Sequence, residues 1–494
     1  MPPRKRQVTA HSTVPVYESP LVLRNASAEM AAIFSPQRRA QTWRRIWLAL
    51  AEAQHEMGLP ITARQLRALR AKVDDVDLEA AARHERRLRH DVMAHLHAYG
   101  DQVPIARGIL HLGATSMDIV DNADLILMRQ ALEVIRQWLV TAVDALATRA
   151  RQYRKLPCLG FTHYQPAQPT TVGKRAALWC WDFVRDLEEI DRRLDGLRFR
   201  GIRGPTGTQA GFLKLLAGDP KRRRGPLDDR VRELEKRVAA KLGFKSCEPV
   251  TGQTYSRKID AQIIAALAGI AAGAHKFAND MRLLANLKEI EEPFGRSQVG
   301  SSAMPYKRNP MLCERATGLA RFVIGLAQSA FQNAAEQWLE RTLDDSSNKR
   351  LLIPEAFLAT DGILQIVLHV ARGFVVYPKV MQARIEAELP FMVTEDILMQ
   401  AALAGGDRQQ LHEKLRVHAQ AAAAEVKQHG RPNDLVRRLR ADPAFAQVKI
   451  DRLLRPDALV GLAPQQVDAF LKDVIGPLKR HHRKTPRRDP EINV

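Results

Sequence analysis

Apolar positions recur every three to four residues along most of the chain, and in its middle third they do so almost without interruption. Residues 259–290 contain no proline, and Ile263, Ile264, Leu267, Ile270, Phe277, Met281 and Leu284 fall on one stripe. At 1.5 Å per residue this segment makes a helix of roughly 45 Å. Similar patterns cover 121–153, 172–198, 310–336 and 351–375. Parts of these faces are small residues, as in Ala265-Ala266-Leu267-Ala268-Gly269, which let helices approach closely. One chain has too little surface to bury several such stripes. The pattern therefore predicts a long-helix bundle that closes by oligomerising.

The flanks are helical too. Phe34-Ser35-Pro36 opens a run with Trp43, Ile46, Trp47, Leu50 and Ala51 in helical spacing. Pro60 breaks it, and Thr62 is placed to cap the next helix. Residues 79–99 carry His84, His90, His95 and His97, and a loop around 108–116 closes a first domain. Strand signals are few, so the fold class is all-α. The predicted division is an N-terminal tail (1–18), a helical domain (19–115), the central bundle (116–376), a smaller helical domain (377–478) and a basic C-terminal tail (479–494).

Composition narrows the picture. The chain has 494 residues, 45% hydrophobic but only 6% aromatic, a balance that favours helices over strands. Its four cysteines show no CxxC pair or metal-ligand spacing, which points to a reducing compartment. No run approaches the ~18 apolar residues of a membrane span, and no apolar stretch follows the basic N-terminus as a secretory signal would require. A cytoplasmic protein without membrane attachment is expected. The net charge of +21 is partly terminal, in Arg4-Lys5-Arg6 and in Lys479-Arg480-His481-His482-Arg483-Lys484 with Arg487-Arg488. Another cluster, Lys221-Arg222-Arg223-Arg224, reads as a surface loop. The tails are expected to be solvated, with weak, salt-sensitive binding of polyanions.

Four strings carry candidate chemistry. Residues 300–310 read Gly-Ser-Ser-Ala-Met-Pro-Tyr-Lys-Arg-Asn-Pro: hydroxyls beside a glycine hinge, then a cation and an amide bracketed by prolines. A mobile segment of this kind can bring a nucleophile or base and a charge clamp to one bound carboxylate. In Phe161-Thr-His-Tyr-Gln-Pro-Ala-Gln, His163 lies among Thr162, Gln165 and Gln168, groups that can orient an imidazole. Arg89-His90-Asp91 sets three charged or titratable side chains in a row, pointing different ways on a helix as a site rim would. Thr115-Ser116 precede Asp118 and Asp121-Asn122, where helix capping explains the acids but not both hydroxyls.

The 300–310 string matches the GSSxMPxKxNP signature of the fumarase/aspartase superfamily. With it, LRFRGIRGPTGTQ (197–209), TGQTYSRK (251–258), LLANLKEIEEPF (283–294), WLERTLDDSSN (338–348) and ELPFMVTE (388–395) resemble the adenylosuccinate lyase family, in its animal rather than bacterial form. The resemblance runs from Ser19 to about Phe470. It implies a three-domain homotetramer with sites shared between subunits, fumarate release from adenylosuccinate and from succinylated aminoimidazole carboxamide ribotide (SAICAR), and no metal or organic cofactor. It also implies roles. Ser301 would be the base, His163 the general acid paired with Glu314, and His90 an assisting group flanked by Arg89 and Asp91. Lys307 and Asn309 would hold the succinyl carboxylates, as would Thr115 and Ser116, with Thr162 beside the acid and Gln253 on another substrate oxygen. Arg24, Arg341, Ser346 and Arg350 would hold the phosphate, with Arg315 nearby. Asn25 departs from the family's usual tyrosine after Arg24, which alters the phosphate pocket. The rival readings are another fumarate-releasing lyase, such as argininosuccinate lyase, and a non-catalytic homologue that binds polyanions.

Overall fold

The computed structural model of the chain describes residues 17–217, 226–295 and 297–492. The expected loop cluster at Lys221-Arg222-Arg223-Arg224 and nearly all of the N-terminal tail lie outside them. A five-residue π-helical turn, Leu21–Asn25, is followed by α1 (Ala28–Ile33), α2 (Pro36–Glu56), α3 (Ala63–Ala71), α4 (Leu78–Leu88), α5 (Asp91–Gln102) and α6 (Ser116–Gln152). A hairpin of β1 (Pro157–Thr162) and β2 (Gln165–Thr171) leads into α7 (Val172–Gly196), then α8 (Ala210–Ala217), α9 (Leu227–Lys241) and α10 (Lys258–Asn286). After β3 (Ile290–Glu291) come α11 (Met311–Ala335), α12 (Asp344–Gly373), β4 (Val375–Val376), α13 (Pro378–Met392), α14 (Thr394–Leu403), α15 (Arg408–His429) and α16 (Leu435–Ala441). The chain ends in α17 (Ile450–Leu453), α18 (Ala463–Phe470) and α19 (Gly476–His481).

Local chemistry sets the boundaries. Ser27, Ser35, Asp77 and Thr171 cap helices with their side-chain oxygens, Pro36 occupies the first position of α2, and Thr62 forms a capping box with Gln65. The five long helices stand where the apolar periodicity puts them. The start of α12 differs: it begins at Asp344 rather than near Leu351, so Pro354 lies inside it. That proline removes the helical donor to the Arg350 carbonyl.

Helices α6, α7, α10, α11 and α12 pack around one continuous core that includes Trp138, Trp179, Phe183, Ile270, Phe277 and Phe357. The architecture is all-α apart from two small antiparallel sheets, β1–β2 and β3–β4. A second, smaller core gathers Leu389, Ile397, Leu411, Leu415, Leu435, Leu439 and Phe445. By length and composition α10 and α12 would qualify as membrane spans, contrary to the expectation that no segment does, because mean hydropathy tolerates a few charges. They are core helices: 56% and 83% of their most apolar stretches are buried within the protein.

The C-terminal segment departs in part from expectation, for several of its residues dock on the bundle while much of the basic run stays exposed. Val467, Leu471 and Ile475 join the main core, Ile492 packs against it, and His482 is only 3% exposed. Part of the terminal charge is matched by acids: Lys479 and Arg487 meet Asp144 and Arg488 meets Glu29, while the buried His482 lies against Asp191. Arg480, Arg483 and Lys484 remain exposed, and the expectation of polyanion binding by this segment rests on them.

Candidate active site

The chain presents the predicted site residues as three separate groups. The largest group lines a cleft of about 810 Å3 that holds Arg89, His90, Asp91, Thr115, Ser116, Gln253, Arg341, Ser346 and Arg350. Its walls come from the first turns of three helices: His90 caps α5, Thr115 caps α6, and Ser346 sits in the first turn of α12. Three helix N-termini and three arginines, set beside Glu85 and Asp91, give the cleft groups of the kind that can meet a small anion.

Arg89, His90 and Asp91 do not lie within one helix, as the sequence suggests. Arg89 closes α4 in the left-handed region (φ 53°) and His90 opens α5, so the row forms a sharp junction. The imidazole is held at both ends. Its Nδ1 accepts from the Met93 amide at 3.4 Å, and its Nε2 lies 3.3 Å from Ser116 Oγ. Asp91 accepts from Arg350 at 2.8 Å and from the Val92 amide at 2.7 Å. Burial pushes its carboxyl up, but those hydrogen bonds and the nearby charges of Arg350 and His90 prevail, holding it below the usual range. Gln253 donates to the Pro205 carbonyl at 3.1 Å.

Beneath the cleft lies a buried ionic framework that the sequence reading does not assign. Asp118 accepts from the amides of Thr115 (2.8 Å) and Arg203 (2.7 Å) and pairs with the fully buried Arg200. Asp121 takes Arg257 at 3.0 Å and Lys349 at 3.1 Å, and Asp345 takes Arg257 at 2.6 Å and Arg341 at 2.7 Å. Burial raises the Asp121 carboxyl, yet Arg257, Lys349 and Arg200 together bring it down to about 2. Asp260, which accepts from the Tyr255 hydroxyl at 2.7 Å, is pushed up to about 6 by burial despite Arg257 and Lys349. Cleft side chains such as Arg341 are thereby anchored to the bundle. In the sequence LRFRGIRGPTGTQ shows three arginines, Arg198, Arg200 and Arg203, with nothing to mark the last two as buried, because their burial needs partners that only the fold supplies.

The second group is the tip of the β1–β2 hairpin. Thr162 pairs with Gln165, leaving His163 and Tyr164 as a two-residue turn with φ of 54° and 56°. A primed turn requires two positive φ values and ordinarily takes Asn-Gly; histidine and tyrosine there cost about 1 kcal/mol each. Strain of that kind is retained where a side chain must project, and the His163 ring is exposed. Its expected neighbours do not orient it: Gln165 donates to the Tyr164 carbonyl, and Gln168 to Glu395.

The third group surrounds residues 300–310. The ends of this loop are pinned. Asn309 Nδ2 donates to the Gly300 carbonyl at 2.8 Å, Arg308 meets Glu291, and the buried Glu292 caps α11 through the amides of Leu312 and Cys313. A Cβ on Gly300 would come within 2.3 Å of the Lys307 carbonyl, so only glycine closes the loop. Between the pins, Lys307 is exposed and Ser301 partly so; Ser301 Oγ accepts from the Met304 amide at 3.1 Å. Glu314 lies 3.8 Å from Arg282. Arg315 is held below the usual arginine range by burial and by the like charge of Arg24, so two guanidiniums stand together here. The Asn25 side-chain amide donates to the Pro20 carbonyl at 2.8 Å.

Among the described residues, no hydrogen bond or ion pair joins these three groups through the residues named. The expected His163–Glu314 pair is not formed within one chain. The sequence does not reveal this directly, because strings far apart in the chain are equally free to meet in one subunit or across several.

Comparison with known proteins agrees with this architecture. A family model described as "Lyase" matches residues 45–325, and one described as "Adenylosuccinate lyase C-terminus" matches 390–470. The adenylosuccinate lyase of Schizosaccharomyces pombe is 50% identical, covering 93% of this chain and 95% of that protein. That of Saccharomyces cerevisiae is 48% identical, covering 97% and 99%. Both are eukaryotic, in keeping with the non-bacterial character of the strings. In fold, the chain superimposes on a fumarate lyase crystal structure from Mesorhizobium sp. BNC1 with a TM-score of 0.78 at 23% identity, over 93% of this chain and all of that one. With half its residues shared over nearly its whole length, this chain belongs to the adenylosuccinate lyase family.

Proposed function

We propose that the chain eliminates fumarate from adenylosuccinate, releasing AMP, and from SAICAR, with Ser301 as base and His163 as acid. The proposal rests chiefly on one observation: a cleft built from three helix N-termini, rich in cations and holding His90 against Ser116, with the strained histidine turn and the pinned serine loop displayed elsewhere on the surface.

The step needs a proton removed from the carbon beside a carboxylate, which a serine accomplishes only as an alkoxide stabilised by surrounding cations and amides. Ser301 takes that proton. The electron pair moves into the adjoining carboxylate, giving a doubly charged aci-carboxylate that Lys307, Thr115 and Ser116 stabilise. The pair then returns to form the carbon–carbon double bond as the C–N bond breaks. His163 protonates the departing nitrogen, and fumarate and the nucleotide leave. Arg341, Ser346 and Arg350 meet the phosphate at one end of the cleft, with Arg24 and Arg315 as a further cationic pair.

A single chain leaves these groups apart, so the site is assembled from several subunits, as a homotetramer. Support comes from α11, where Phe322 on one flank and Ile324 and Phe331 on the other are 42%, 42% and 56% exposed. Apolar side chains left open on both flanks of one helix fit burial against other copies. The test is direct. Purified protein incubated with adenylosuccinate should release AMP and fumarate in equal amounts, followed by absorbance and by chromatography, and should leave argininosuccinate untouched. No fumarate from adenylosuccinate would end this reading.

A further inference from the structure

The turn that carries Arg24 is poorly equipped to hold its own shape. Leu21–Asn25 is five residues long, has no side-chain cap, and buries only Leu21. A helical turn this short is unstable alone. It is held from beneath by α12. Gln365 donates to the Asn25 carbonyl at 3.1 Å, and Asp361 accepts from the Ser27 amide at 2.5 Å and from the Ser27 hydroxyl at 3.1 Å. The contact is close enough that a Cβ on Gly362 would sit 2.9 Å from the Asn25 carbonyl oxygen.

Asp361 and Gln365 are in turn held from the other side by the end of the chain. Gln365 Oε1 accepts from the Glu491 amide at 3.1 Å. Asp361 accepts from the indole of Trp138 at 2.7 Å, and the Arg488 guanidinium lies over that indole, 4.6 Å from the ring centroid. Arg488 also donates to Gln137 at 2.7 Å and pairs with Glu29 of α1 at 2.6 Å, while its amide donates to Thr141 at 3.1 Å. Arg372 fastens the same segment through Asp489 at 2.6 Å and the Arg488 carbonyl at 3.0 Å. His482, against Asp191 at 3.0 Å, fixes the near end. Residues 482–491 thus form a strap tied at both ends, with Arg488 at its centre, bridging α1, α6 and the buried pair that holds the Arg24 turn.

We infer that this strap sets the position of Arg24, making Arg488 a positioning residue for the phosphate end of the substrate. The inference rests on the proposed phosphate role of Arg24. Gln365 ties the strap directly to the turn, and Trp138 links Arg488 to Asp361 and through it to Ser27. Losing Arg488 removes the cation over Trp138 and the tie to Glu29 of α1, which loosens the support of the Arg24 turn.

The experiment compares Arg488→Ala, Arg24→Ala and the double variant in the full-length assembled protein, using AMP and fumarate as separate inhibitors. Arg488→Ala should weaken AMP inhibition about five- to tenfold, leave fumarate inhibition and kcat within about twofold, and raise KM, the pattern of a lost ground-state contact. In the Arg24→Ala background the same change should add nothing, since the residue it positions is gone. Glu29→Gln cuts the bridge from its exposed side and should reproduce a smaller loss of AMP affinity, which covers an Arg488→Ala protein that does not fold. If Arg24→Ala weakens AMP inhibition while Arg488→Ala and Glu29→Gln do not, or if the losses simply add, the strap has no positioning role. If Arg24→Ala itself leaves AMP inhibition unchanged, the phosphate assignment fails and takes the inference with it.

Discussion

Two proteins disabled at different points should repair each other when their subunits mix. Within one chain His90 stands in the cleft against Ser116, whereas Ser301 lies on the pinned loop, and no bond between described residues connects the two groups. His90→Gln spoils the cleft of its own chain but leaves its loop intact; Ser301→Ala does the reverse. In an equimolar random mixture, a site drawing cleft and loop from different chains receives an intact cleft half the time and an intact loop half the time. About one quarter of sites then carry neither lesion in a closed, symmetric assembly. Varying the mixing ratio should trace the product of the two fractions, peaking at equal amounts. The repaired sites are whole, so recovered activity should show wild-type KM with kcat per chain reduced to about a quarter. The assay is lyase turnover after reversible dissociation and reassembly, with hybrids verified by differential tags. Verified hybrids without recovered activity would mean that both residues act from one subunit, and the shared site would be refuted for that pair.

Three further outcomes follow from the same geometry. Ser301→Ala should abolish turnover while keeping substrate affinity within about tenfold, with Ser302→Ala milder; a Ser301→Ala enzyme that retains a tenth of wild-type kcat would remove Ser301 from the base role. Asp118→Ala leaves the buried Arg200 charge uncompensated and strips partners from the Thr115 and Arg203 amides, so it should destabilise the chain by about 3–5 kcal/mol in chemical denaturation, and a loss under 1 kcal/mol would contradict the framework. Asp260 titrates in the fold at about 6, above its ordinary value, so its contribution to stability is complete below about pH 4 and declines as pH rises through 6. Each tenfold difference in proton affinity between the folded and unfolded chain is worth about 1.4 kcal/mol of that decline. Asp260→Asn should flatten the accompanying fall in melting temperature between pH 4 and 7, and an unchanged slope would exclude Asp260 as its source.

How much is legible in the sequence depends on what kind of force decides each feature. The five long helices are readable because a stripe of apolar side chains at helical spacing is both cause and signature of burial, as Ile263, Leu267, Ile270 and Phe277 show. The candidate site residues are readable as strings, because a reactive loop needs particular residue types in a particular order. Their grouping is not: nothing in the composition of 161–168 says that His163 and Tyr164 form a primed turn, since that turn ordinarily announces itself with Asn-Gly. The ionic framework is invisible for a related reason. Arg200, Arg257 and Lys349 look like surface cations until Asp118, Asp121 and Asp345 are seen beside them, and those partners lie far off in the chain. The C-terminus misleads by the same rule run in reverse. A run of Lys, Arg and His reads as wholly solvated because the partners of Lys479, His482 and Arg488, namely Asp144, Asp191 and Glu29, belong to helices hundreds of residues earlier. Periodic burial is a local property and can be read from one segment. Charge pairing is a property of two, and its meaning for the site emerges only once the bundle has brought both to one place.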